Sequence, residues 1–181
     1  MRKLNLDTLK KGLLGISPTR GNFYREAAIV GLHQQGFKSG VILHISGEFQ
    51  EKISIEWTDD VDKVTIDSWR DELQVTNFGA VGIALLLMAE LLTFNNFEEG
   101  VIGTGIDFWM SKKSFQKKKI AFYQREARLE ISGILKEKIG NTVNMRIGKK
   151  KKQISVSDYT RLPGWIVVVE FSTPKSKIVK K

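Results

Sequence analysis

The chain has 181 residues, enough for one domain with a sizeable core, and its 41% hydrophobic and 9% aromatic content excludes a disordered polymer. Cysteine is absent and histidine is limited to His33 and His44, which excludes disulfide scaffolds, cysteine metal sites and thiol nucleophiles and disfavours Ser-His-Asp layouts. Net charge is +9 and uneven: residues 1–90 hold 10 Lys/Arg against 12 Asp/Glu, residues 91–181 hold 19 against 8.

In chain order, the opening MRKLNLDTLKK has no apolar core, so no secretory signal is expected and the expected compartment is the cytoplasm. Residues 22–36 place Phe23, Ala27, Ile29, Val30 and Leu32 at helical spacing, predicting an amphipathic helix that ends near Gly36. The preceding Ser-Pro-Thr-Arg-Gly is read as a stop. Two short strands follow, 40–46 and 52–57, joined as a hairpin through Gly-Glu-Phe-Gln-Glu. Asp59, Asp60 and Asp62 form a polar break, with Asp62 or Thr65 available as a helix cap.

From Asp67 to Phe94 the pattern is helical and ends nearly all apolar. The run at 79–89 is about half the roughly 20 residues a bilayer span needs and closes at Glu90, so a buried helix is expected instead of a membrane one. Gly79 and Gly82 would let a sheet or second helix come close. After Asn95–Asn96 come a strand at 101–110, an alternating strand at 122–133, a helix at 133–147, a basic run Lys149–Lys152 and a last apolar strand at 165–172. Lys175, Lys177, Lys180 and Lys181 read as a flexible cationic arm. The class is α/β or α+β, with 1–60 as a helix-and-hairpin elaboration on a core at 61–181.

Three acids punctuate that core: Glu90 ends the buried helix, Asp107 sits in the first strand and Glu130 in the second. An acid in an apolar strand is costly to desolvate unless a partner offsets it, and a divalent cation is one such partner. Mg²⁺ prefers hard oxygen ligands, commonly one or two carboxylates completed by water and a substrate phosphate. Each acid also has a plainer explanation. Glu90 can be a solvated helix end, Asp107 can close a turn after Gly105, and Glu130 can pair with Arg125 or Arg128. Glu170 is open to both readings, facing the same cavity or satisfied within its strand.

The order of helix with Glu90, strand with Asp107, strand with Glu130-Ile131-Ser132, helix, strand resembles the restriction-endonuclease-like, or PD-(D/E)xK, nuclease superfamily over roughly residues 66–172. The resemblance implies a mixed central sheet flanked by helices and Mg²⁺-dependent phosphodiester hydrolysis, with phage defence or restriction as its setting. It implies Asp107 and Glu130 as metal ligands and Glu90 as a supporting acid. The superfamily's lysine, two positions after the glutamate, is Ser132 here. Lys136 is the expected replacement and Arg128 the second choice; without one, the fold would serve as an inactive subunit binding nucleic acid or a partner protein.

The basic clusters fit a polyanion, DNA first. Lys112, Lys113, Lys117, Lys118 and Lys119 join the two acid-bearing strands, and Lys149, Lys150, Lys151 and Lys152 make a second patch, whose cations counterion release would favour on a phosphate backbone. A solvated lysine-rich face is the simpler account of any one run. The Gly-Thr-Gly at 103–105 lacks the phosphate-loop context, so nucleotide cofactors are not expected. Trp109 shares the strand face of Asp107. A second copy of the chain or another subunit is an open partner, and a purely structural role remains a third reading.

Overall fold

The computed structural model describes residues 1–59, 61–112 and 125–181. Eight strands form one mixed sheet: β1 (Arg2–Asn5), β2 (Val41–Gly47), β3 (Glu51–Glu56), β4 (Asn96–Glu99), β5 (Phe108–Ser111), β6 (Ala127–Ile134), β7 (Gly164–Glu170) and β8 (Lys175–Lys180). Their spatial order is β1-β3-β2-β8-β7-β6-β5-β4. β4, β5 and β6 run as an antiparallel meander, and β6 pairs β7 in parallel. Among the described residues there are four α-helices, α1 (Pro18–Gln34), α2 (Lys63–Ser68), α3 (Glu72–Leu92) and α4 (Val143–Ile154), and two 3-10 helices, Leu6–Lys11 and Ser155–Thr160. The class is therefore mixed α/β, as expected.

Alternation along the strands splits the core between two faces. Phe108, Met110, Leu129, Ile131, Val167 and Val169 join the cluster that α1 and α3 cover. Trp109, Ile134, Ile166 and Val168 pack with Val143, Ile147 and Ile154 of α4 on the other face. β7 is buried along its whole length because both faces are covered. The close approach at Gly79 and Gly82 is to a helix: a Cβ on Gly79 would meet Ala28 at 3.0 Å, and one on Gly82 the Tyr24 carbonyl at 2.9 Å. Helix α3 has the 21 residues a membrane span requires, so length does not decide its role. It is a core helix, buried between α1 and the sheet.

Several expectations need correction. Ser17 caps α1, accepting from the Arg20 amide at 3.2 Å, and Pro18 occupies the first helical position; the segment read as a stop is a start. The helix expected over 67–94 breaks at Trp69–Asp71, where Asp71 caps α3 by accepting from the Leu73 and Gln74 amides. The strand expected over 101–110 contracts to β5, because Gly103 and Gly105 take positive φ and hold 100–107 as a loop. β4, which the Asn-Asn turn concealed, lies before that loop.

The largest error follows β6. That strand continues to Ile134, a turn at Gly140 follows, and α4 begins only at Val143, which leaves Ile139 fully exposed in the connection. The Lys149–Lys152 run thus belongs to α4 itself. Residues 175–180 are not an arm but β8, inserted between β7 and β2, with Lys175 paired to Glu137 at 2.5 Å. The amino-terminal hairpin β2–β3 joins the same sheet through β8.

Candidate active site

β6 carries Arg128, Glu130 and Ser132 on the face toward α4, while Leu129 and Ile131 point to the opposite core. Asp107 immediately precedes β5. The ladder pairs Phe108 with Leu129, so one step further sets Asp107 level with Glu130 on the adjacent strand. Its amide donates to the Leu129 carbonyl at 2.9 Å, and its carboxylate accepts from the Ile131 amide at 2.7 Å. The side chain thus continues the ladder where the backbone of β5 turns away.

Helix α4 crosses above them. Val143, Ile147 and Ile154 are its buried residues, and Lys150 falls on the same stripe between Ile147 and Ile154. Its ammonium donates to Glu130 Oε1 and, at 3.1 Å, to Gln153 Oε1. Glu130 is fully buried, and its Oε2 has no hydrogen-bond partner among the described residues. Burial, and next the charge of Asp107, push the Glu130 carboxyl up to about 7, against the opposing pull of Lys150. Burial also raises Asp107, partly offset by the Ile131 amide and Lys150 and reinforced by Glu99.

Asp107 and Gln153 line a cavity of about 360 Å³, whereas Glu130 and Lys150 do not reach its wall. The loop 100–105 forms its rim, and Arg20, Tyr24 and Glu99 close the side nearest α1. Arg20 donates to the Tyr24 hydroxyl at 2.7 Å and to Glu99 at 2.5 Å. The Tyr24 phenol is raised chiefly by burial, with Arg20 acting against it.

The other expected site residues fall elsewhere. Glu90 is exposed in the last turn of α3 and does not line the cavity. Lys136 lies in the turn after β6 and lines a different cavity with Asp71, Glu72 and Arg146. The cause is the length of β6: Ile134 is already about 13 Å along the strand from Glu130 at 3.3 Å per residue. Arg128 is buried as a structural clamp, donating to the carbonyls of Ile154 and Leu162, to Ser157 and to Asp158. Ser132, at the position of the superfamily lysine, is 3.4 Å from Arg146 Nη1.

Lys112 is exposed beyond β5, its ammonium 5.3 Å from the centre of the Phe94 ring. Lys149, Lys151 and Lys152 are exposed on the outer side of α4. Lys113, Lys117, Lys118 and Lys119 lie outside the described residues, as do residues 122–124 of the second predicted strand and Asp60. Lys150 is the residue of this cluster that the sequence placed on a surface patch instead. Its signal was present: Val143, Ile147, Lys150 and Ile154 follow a 4-3-4 spacing, so a cation occupies an inward stripe position. A helix ended at 147 hides it.

A fully buried Glu130, a half-buried Asp107, a lysine seated on Glu130 and a cavity on the Asp107 side make up the candidate site. Among the described residues, no three or more Asp, Glu or His side chains gather closely enough to ligate one metal ion. The chain matches no family model, no curated protein and no solved structure.

Proposed function

We propose that the protein is a nuclease-like, restriction-endonuclease-like enzyme that hydrolyses phosphodiesters of nucleic acid with Mg²⁺, at a site built from Asp107, Glu130 and Lys150. The observation that carries this reading is the seat of the Lys150 ammonium on a buried Glu130 whose other oxygen has no partner among the described residues. The cation missing at Ser132 is supplied from α4. The order α3-β4-β5-β6-α4-β7, with Asp107 before the second strand of the meander and Glu130 in the third, supports the same reading.

The residues present fit a magnesium ion. Glu130 Oε2 is an unpaired buried oxygen, Asp107 opens on the cavity, and two carboxylates are the number Mg²⁺ commonly takes from protein. Asp107 and Glu130 would hold it; when bound it lowers the pKa of water and neutralises charge on the phosphorus oxygens. The chain's own part is positional. Glu130 and Gln153 fix Lys150 Nζ beside the carboxylates, as a preorganised donor to charge developing on the phosphate. The Ile131 amide fixes the Asp107 carboxylate. Water adds to phosphorus, one P–O ester bond breaks, and the products carry a phosphate monoester and a hydroxyl that takes up the proton. Lys112, Lys149, Lys151 and Lys152 would contact the flanking backbone, DNA first among substrates.

The test is cleavage of linear, circular and single-stranded DNA and of RNA with Mg²⁺ or Mn²⁺. Wild type is compared with the double variant Asp107→Asn, Glu130→Gln. Metal-dependent cleavage that the double variant loses is the expected result. Cleavage persisting in the double variant overturns the site. No cleavage with either metal, alongside salt-sensitive binding, replaces the enzyme with a nuclease-fold binding subunit.

A further inference from the structure

Arg20 stands out in the cavity beside Asp107. It comes from the first turn of α1, outside the nuclease-like core, and it is the one Lys or Arg side chain on the cavity wall among the described residues. Its guanidinium is half exposed and tethered at two points, Tyr24 and Glu99, while Tyr24 itself is buried to 2% exposure. Glu99 is also more than half exposed. An exposed pair of this kind contributes little to stability, because water screens it. A planar, half-exposed guanidinium on a rigid tyrosine is preorganised for a phosphate, whose oxygens match its fork of donors.

The cavity also limits what can enter. At about 360 Å³ it lies at the small end of the roughly 300–1,000 Å³ range of single-ligand pockets, far short of a duplex. Phe78, Val81 and Ile106 give it apolar wall, and Val101 and Ile102 stand exposed on the loop at its rim. Apolar and aromatic surface beside a cation suits an unpaired nucleotide, whose base has a free face, better than a paired one.

We propose that this cavity receives a single unpaired strand of nucleic acid and that Arg20, exchanging Glu99 for a phosphate, is the positioning residue for that strand. This rests on the reading of Asp107 and Glu130 as a phosphodiester site. Glu99 then acts as a latch: it holds Arg20 when no strand is present and competes with the phosphate for it. The amino-terminal helix thereby adds substrate choice to a site built by the sheet and α4.

The experiment is binding of a fluorescent single-stranded oligodeoxynucleotide and of its duplex, in chelator, as a function of salt. Arg20→Ala should lower the slope of log affinity against log salt by about 0.7 for the single strand, the contribution of one phosphate contact. It should leave the duplex slope unchanged. Arg20→Lys should recover the slope but not the full affinity, because a point charge lacks the fork. Glu99→Gln should tighten single-strand binding several-fold. Lys38→Ala removes an exposed cation past the far end of α1, about 21 Å of helix away, and should change neither slope. Equal effects of Arg20→Ala and Lys38→Ala overturn the proposal, as does equal loss on duplex or weaker binding by Glu99→Gln. Because binding is read without metal, absent cleavage counts against the nuclease reading alone. Metal-dependent cleavage with binding indifferent to Arg20 counts against this proposal alone.

Discussion

Two glutamates are buried on neighbouring parallel strands, and they are opposites. Glu170, at the end of β7, is 1% exposed; Glu130, in β6, is wholly buried. Glu170 accepts from the amides of Ser172 and Thr173 at 3.0 and 2.8 Å and from their hydroxyls at 2.5 and 2.6 Å. Both its oxygens are satisfied by the turn that leads into β8. Glu130 has Lys150 on one oxygen and, among the described residues, no donor on the other, and Asp107 nearby repels its charge. Burial alone therefore does not mark a site. In the proposed reading the mark is a buried acid left short of donors beside a second acid that opens on a cavity, since a structural carboxylate is normally hydrogen-bonded to completion.

The comparison breaks most sharply on activity. Asp107→Asn or Glu130→Gln should each reduce metal-dependent cleavage by about 10³-fold or more, whereas Glu170→Gln should leave turnover near wild type; a single-turnover assay checks all three. Lys150→Met should cost about 10²–10³ in rate, the loss expected of one preorganised donor, with partial recovery in Lys150→Arg and no change in Lys136→Ala. Should Lys136→Ala carry the loss instead, the assignment of the cation to α4 is overturned.

A pH series sharpens the same contrast without any metal. The Glu130 carboxyl has a folded-state value of about 7 against 4.5 unfolded, so the folded state binds its proton more tightly. Its favourable contribution is complete below about 4.5 and is lost as pH rises through 7. In Glu130→Gln that loss disappears. The stability difference between variant and wild type should therefore shift in the variant's favour as pH rises from 4.5 to 7.5, on the order of 3 kcal/mol by urea denaturation, whatever constant offset the lost pairing with Lys150 adds. Glu170→Ala should act the other way, lowering stability by about 2–3 kcal/mol as two amides and two hydroxyls lose their acceptor. The smallest effect belongs to the outer cations of α4: each of Lys149→Ala, Lys151→Ala and Lys152→Ala should reduce the duplex salt slope by at most about 0.9.

Much of the frame was legible in the residues. Alternation in ARLEIS placed Arg128, Glu130 and Ser132 on one face and Leu129 and Ile131 on the other, and the structure keeps that division. The hairpin at β2–β3 and the wholly buried β7 were likewise plain from apolar runs and turn residues. The cation was not. Gly133-Ile134-Leu135 reads equally as strand or helix start; what decides is α3, whose Thr76 backbone sits against Gly133 and leaves no room for a side chain there. That is a tertiary fact, and missing it shifted α4 by ten residues and turned Lys150 into one of four surface lysines. β8 escaped for a similar reason: an alternating KSKIVK is charged enough to pass for a tail until a sheet gap between β7 and β2 exists to receive it. Arg20 carried no local signal, since only the packing of α1 on α3 brings it to the cavity.

The position of β8 governs how the fold can be assembled. It is later in the chain than every strand it touches, yet it joins β2 to β7. Before residues 175–180 are in place the sheet is two disconnected ladders, β1-β3-β2 and β7-β6-β5-β4, each presenting a bare edge. Until β8 is synthesised, β2 and β7 each expose an unpaired edge, and a product halted before Lys175 keeps both edges open as templates for pairing with other chains.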